Sequence, residues 1–196
     1  MVSGVKRRLR DNIRDDAGFS LSELLVVIAL MGLVLAVAYN VNYFISRASA
    51  QNEREAWFGA EVRTPLAYFD KLLMQNAEIE GVSGDYMISF FTDVNLDDVR
   101  ERNVIKAENG VLSLTRWHVS GANVNVGAPI QSTTFSTNNA NVAEGVPLFT
   151  YIDTEGVVIT DPDKYAGSSR SIRTTIVVDY DGEVFSDSRV SFLRNR

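Results

Sequence analysis

The stretch GFSLSELLVVIALMGLVLAVAY, residues 18–39, decides how the rest of the chain is read. From Leu24 to Tyr39 it runs 16 residues without a charged or strongly polar side chain. With Phe19 and Leu21 before it and Val41, Tyr43, Phe44 and Ile45 after it, the apolar segment reaches about 27 residues. At roughly 1.5 Å per residue that is about 40 Å of helix, enough for a hydrocarbon layer about 30 Å thick. A helix of a soluble core shows a polar face; this one is apolar all round. One acid interrupts it. Glu23 sits near its start, where an unpaired carboxylate costs roughly 2–3 kcal/mol in lipid and therefore asks for a partner.

The flanks set an orientation. Residues 1–18 carry five basic side chains (Lys6, Arg7, Arg8, Arg10, Arg14) against three acids, a net of +2. Basic residues before an apolar helix keep that side in the cytoplasm, so residues from about 46 onward are expected across the membrane. The whole chain is at −6, which leaves −8 for everything after residue 18. So acidic a head argues against nucleic-acid binding, although Arg170, Arg173, Arg194 and Arg196 could form a local basic patch. There is no cysteine, hence neither disulfide nor thiolate chemistry.

An ordinary secretory signal also pairs a basic region with an apolar one. Here the small-residue site, Ala17-Gly18, precedes the apolar run, and the acid lies inside it. In this combination GFSLSELLVVIALMG resembles the prepilin leader and N-terminal helix of type IV pilins and of the pseudopilins of type II secretion. The resemblance implies cleavage after Gly18 by a membrane aspartyl protease (the prepilin peptidase), and N-methylation of the new terminus, Phe19. It implies that Glu23, five residues into the mature chain, directs assembly. Many pilins carry a proline further along the membrane segment; this chain has Asn40 and Asn42 nearby instead, so local melting of the helix would fall to them or to Gly32. The implied partners are other pilin subunits, the peptidase, and an inner-membrane platform with a cytoplasmic ATPase. The implied location is a single-pass precursor in the cytoplasmic membrane, then an extracellular or periplasmic filament. PLFTYIDTEG (residues 147–156) and RVSFLRNR (189–196) are similar to segments of W-type minor pilins and J-type pseudopilins, which points to a minor subunit.

The physical logic runs the same way. Cleavage after Gly18 leaves a charged amine on Phe19, and among packed apolar helices that amine needs a counter-charge. Glu23 of a neighbouring subunit supplies one, and a single buried polar pair fixes register, as in coiled coils.

Beyond residue 45 the polar run SRASAQNEREA contains nothing that stops a helix. Trp57, Phe58, Val62, Leu66, Phe69, Leu72, Leu73 and Ile79 recur at spacings of one helix face. One long helix is expected from about Phe19 to about Asn76, bent or restarted at Pro65, its second half against a sheet. Strands are expected at 86–92, 104–106, 112–119, 147–152, 157–160, 172–180, 183–185 and 189–193, with a turn at Asp181-Gly182. The fold class is α+β: a long N-terminal helix packed on an antiparallel head, pilin-like, without the βαβ alternation of a parallel sheet. The domain reading is a leader at 1–18, a membrane or filament-core helix at 19–45, an amphipathic continuation at 46–80 and a β-rich head at 81–196. Residues 120–145, rich in Ser, Thr, Asn and Gly, read as a long surface loop, with Ser120, Asn123, Asn138 and Asn139 as candidate contacts.

Little chemistry is visible. Asp93, Asn95 and Asp97 match the opening of a calcium loop, but its sixth position is Asp98 rather than glycine and its twelfth is Val104 rather than an acid. A solvated acidic turn is the expectation, and no metal is assigned. His118 stands alone beside Trp117. No nucleophile elbow or phosphate loop occurs, so neither an enzyme nor a cofactor is expected. Two functions remain: a subunit that polymerises through its N-terminal helix, or a membrane-anchored extracytoplasmic binding module that does not.

Overall fold

The computed structural model describes residues 20–75, 77–94, 99–119 and 128–194. Helix α1 spans Leu21–Phe58, a π-helical turn covers Gly59–Arg63, and α2 covers Thr64–Met74. The turn explains how the helical path passes Pro65. A proline has no N–H for the carbonyl four residues back, and its ring strikes that carbonyl. One wider turn ahead of it removes the conflict: both the backbone N–H and the hydroxyl of Thr64 reach back to the Gly59 carbonyl. Neither Gly32 nor Asn40 interrupts α1; the Asn40 amide donates to the Ala36 carbonyl at 2.8 Å, so it is satisfied inside the helix. Helix α2 ends at Met74, and Ile79, read above as part of the helical face, lies in a short strand.

The chain divides into two compact units, Met1–Glu53 and Arg54–Arg196. The second unit takes in the last turn of α1, the π turn and α2. Its strands are β1 (Glu78–Ile79), β2 (Met87–Thr92), β3 (Glu101–Glu108), β4 (Val111–His118), β5 (Gln131–Ser136), β6 (Phe149–Ile152), β7 (Ser171–Tyr180) and β8 (Glu183–Phe192). They form two antiparallel sheets, β1-β2-β3-β4-β5 and β6-β7-β8. A 3-10 turn, Pro162–Lys164, leads into the one-turn helix α3, Tyr165–Ser168. Two-residue turns close the β3–β4 and β7–β8 hairpins. In both, Asn109-Gly110 and Asp181-Gly182, the two central residues have positive φ, the geometry that matches strand twist and that Asn, Asp and Gly tolerate.

Val62, Leu66, Phe69, Leu72 and Leu73 of the helix meet Ile88, Phe90, Ile105, Leu112 and Leu114 of the larger sheet and Phe149, Tyr151, Ile172, Ile176 and Val178 of the smaller one in a single core. Phe69 is fully buried, with the ring of Phe135 edge-on at 5.1 Å. Strand β8 follows the helix. Arg54 pairs with Glu183 at 3.2 Å, Phe58 lies 6.1 Å from Phe185, and Asp70 takes the Ser191 hydroxyl at 2.7 Å and Arg189 at 3.4 Å. Sixteen residues of helix and eight of strand both cover about 25 Å, so the two run side by side in the same direction.

Three departures from the sequence reading have one cause: polar residues buried or paired. Strand β3 is eight residues long rather than three, because Glu101 and Asn103 are wholly buried on its inner face while Arg102 and Lys106 pair with Glu80 and Glu108 outside. Strand β5 lies inside the stretch read as a loop; Gln131–Thr134 and Ser136 pair with β4, with Phe135 at the bulge between them. Strand β8 is continuous where two fragments were expected, its middle being Ser186–Ser188.

Candidate assembly site

Helix α1 opens with a cap. The backbone N–H of Glu23 donates to the Ser20 hydroxyl at 3.2 Å, and those of Glu23 and Leu24 reach the Ser20 carbonyl at 3.0 and 3.1 Å. Ser20 is therefore the N-cap of α1, and the S-x-x-E pattern Ser20–Glu23 marks this helix start in the sequence. It starts the helix at the second residue of the expected mature chain. The Glu23 carboxylate sits in the first turn, where the unpaired N–H groups of a helix favour an anion. Among the described residues it takes no hydrogen bond and no ion pair. Gly18 and Phe19 lie outside the described residues.

No residue of α1 is buried. Leu21, Leu24, Leu25, Ile28, Met31, Leu35 and Phe44 are among some seventeen large apolar side chains exposed between Leu21 and Ile45. A bare apolar cylinder of this size is far beyond what a monomer keeps in water. By length and composition the helix can cross a membrane. Just past the apolar run the Arg47 guanidinium stacks over the Tyr43 ring at 5.2 Å, the kind of aromatic and cationic pair that anchors a helix at an interface.

The head residues singled out from sequence separate. Ser120 and Asn123 lie outside the described residues. Asn138 is exposed, but Asn139 is buried and belongs to the interior. Its amide donates to Asn141 Oδ1 at 2.8 Å and to the Val177 carbonyl; Asn141 in turn bonds Val146, Thr175 and Val177. The two asparagines tie residues 138–146 onto β7, so Asn139 is not a contact residue. Of the acidic run, Asp93 follows β2, while Asn95, Asp97 and Asp98 lie outside the described residues. Glu101 is buried and accepts the Val94 N–H at 2.9 Å. His118 is exposed at the end of β4. Arg116 is buried among neutral partners, donating to Asn103, Gln131 and the Tyr68 hydroxyl at 2.7, 2.9 and 3.0 Å.

A cleft of about 190 Å³ lies between β6 and residues 158–160. Tyr151 and Tyr165 stack beside it, centroids 3.9 Å apart, and the Tyr165 hydroxyl donates to Asp85 at 3.2 Å. Burial pushes the Tyr151 phenol well above its ordinary value of 10.0; a Ser83 hydrogen bond opposes this, and Tyr165 and Asp85 add to it. Tyr165 is also raised, chiefly by burial and then by Asp85. The raised folded value means the folded chain holds protons that the unfolded chain releases. Stability from this source is complete below about pH 10 and falls as the pH rises from there. The melting temperature of the head is expected to drop above pH 10, and Tyr151→Phe to make that drop shallower; equal slopes in wild type and variant between pH 9 and 12 would contradict it.

Residues 13–39 match the family model of the prokaryotic N-terminal methylation motif. No curated protein matches the chain.

Proposed function

On the premise that the chain carries the prepilin-type N-terminus of type IV pilins and pseudopilins, we propose that it is a minor subunit of a pilus or secretion pseudopilus, assembled through helix α1. The observation that carries this reading is the coincidence of the motif with a helix none of whose residues is buried. Such a helix has two stable environments, lipid and a bundle of like helices, and a filament subunit moves from one to the other. In the bilayer the exposed side chains of α1 face hydrocarbon. In the filament they face the same helix of neighbouring subunits, and no apolar surface meets water on the way.

The chemistry asked of the site is electrostatic rather than catalytic. Cleavage after Gly18 places an amine on Phe19, methylation keeps it charged, and Glu23 of an adjacent subunit neutralises it. The free carboxylate of Glu23 and the capped first turn support this pairing. The motif points to a structural subunit rather than an enzyme. The acidic head then faces the extracytoplasmic side. The short likeness of residues 147–156 and 189–196 to minor pilins and J-type pseudopilins supports the minor assignment.

The test is the N-terminal peptide mass of the protein from cells with an intact pilus system. A peptide that begins at Phe19 and carries one methyl group is the expected result. A peptide beginning at Met1 or Val2 would leave a retained leader and a plain signal anchor, and the assembly reading would fall.

A further inference from the structure

Strand β8 is an open edge. It pairs with β7 on one side, and among the described residues no strand lies on the other. The two-residue turn at Asp181-Gly182 makes Tyr180 and Glu183 a hydrogen-bonded pair. Odd-numbered residues of β8 therefore bond β7, and the backbone groups of 184, 186, 188, 190 and 192 point away from it. The Ser188 N–H fits this parity: it donates not to β7 but to the neighbouring Asp187 carboxylate, at 2.8 Å. The side chains at these even positions form an outer face where Val184, Val190 and Phe192 are 50%, 38% and 64% exposed. A ten-residue edge with apolar side chains is a template for another strand.

The edge is complementary to itself. Laid antiparallel against a second copy with Ser188 opposite Ser188, it brings Asp187 against Arg189 of the other chain, twice by symmetry. Val184 then faces Phe192, and Ser186 faces Val190. The parity also fits: 184, 186, 188, 190 and 192 become the hydrogen-bonded positions, and Asp187 and Arg189 fall at a non-hydrogen-bonded pair, where side chains approach most closely. Arg189 already holds Asp70 at 3.4 Å through one nitrogen and keeps other donors for Asp187 of the partner.

We infer that the head of this protein self-associates by antiparallel pairing of two β8 edges. The geometry also sets how the two paired heads are oriented. Because β8 runs in the same direction as the helix from Arg54 to Asp70, antiparallel β8 strands set the two helix segments antiparallel. Such a contact joins two heads whose Arg54–Asp70 segments run in opposite directions. It rests on the head alone and stands apart from the assembly role of α1.

The experiment uses the full mature chain in lipid nanodiscs, one copy per disc, followed by mass photometry and negative-stain imaging. Wild type is expected to form concentration-dependent pairs of discs. Ser188→Pro removes a central outward N–H but no bond to β7 and is expected to abolish the pairs while the thermal melt is kept. Asp187→Arg and Arg189→Asp each place like charges opposite one another and are expected to weaken pairing about tenfold; the double exchange restores it. The inference is overturned if wild-type discs stay single at 100-fold excess over the imaging concentration, or if pairs survive Ser188→Pro. It is also overturned if Asp187→Arg strengthens association, which would make Asp187 a guard that covers the edge.

Discussion

Glu23→Ala is expected to leave leader removal at the wild-type extent while lowering incorporation into sheared filaments more than 100-fold. Residue 23 lies five positions beyond the cleaved bond, and the exchange keeps a good helix former in the first turn, so the substrate presented to the peptidase is little changed. In the filament the alternative is severe. Removing one partner of a buried ion pair leaves the other charge, here the Phe19 amine, uncompensated among apolar helices, at a cost on the order of 3–5 kcal/mol. Glu23→Lys adds a like charge and is expected to be worse; Glu23→Asp keeps the sign but shortens the reach and falls between. Immunoblots of cell and sheared fractions, with the mass of the processed N-terminus, measure both steps. Wild-type incorporation of the alanine variant would sink the pairing and leave α1 to assemble by apolar packing alone.

Phe69→Ala is expected to destabilise the head by about 3–5 kcal/mol and to lower its melting temperature by about 10 °C or more. Phe69 is fully buried, and its loss strips the edge-on partner from Phe135, leaving a cavity under both sheets. The matched control is Leu30→Ala in α1. Leu30 is exposed and outside the head unit, and its removal is expected to leave the head transition in place, as read by near-ultraviolet circular dichroism in detergent. Equal effects of the two substitutions would contradict a core that draws only on the second part of the helical path.

Periodicity found Phe69 as core, and composition found α1 as an uncovered apolar helix, since both properties are carried by consecutive residues. The same reasoning stopped short where a residue's role depends on a distant neighbour. Asn139 and Asn141 have the composition of a surface loop, and only their bonds to β7 carbonyls and to the Val177 N–H make them interior. Glu101, Asn103 and Arg116 break the apolar alternation of β3 and β4. They are tolerated inside because the Val94 N–H meets Glu101, Arg116 donates to Asn103 from the next strand, and Gln131 and the more distant Tyr68 accept from Arg116. The S-x-x-E pattern at Ser20 is a local signal, and the cap at the start of α1 is legible in the sequence for that reason.

What the sequence by itself determined is the N-terminal segment of the protein: a basic flank, a glycine before the apolar run, an acid at a fixed step and an apolar helix. Those features are carried by consecutive residues, and residues 13–39 match the methylation motif on that basis. What only the tertiary structure decided is the head: the division of its strands into two sheets, the π turn that precedes Pro65, the inward turn of Asn139, and the free edge of β8. These depend on which polar groups meet across tens of residues of intervening chain, and no stretch of the sequence read alone contains that pairing.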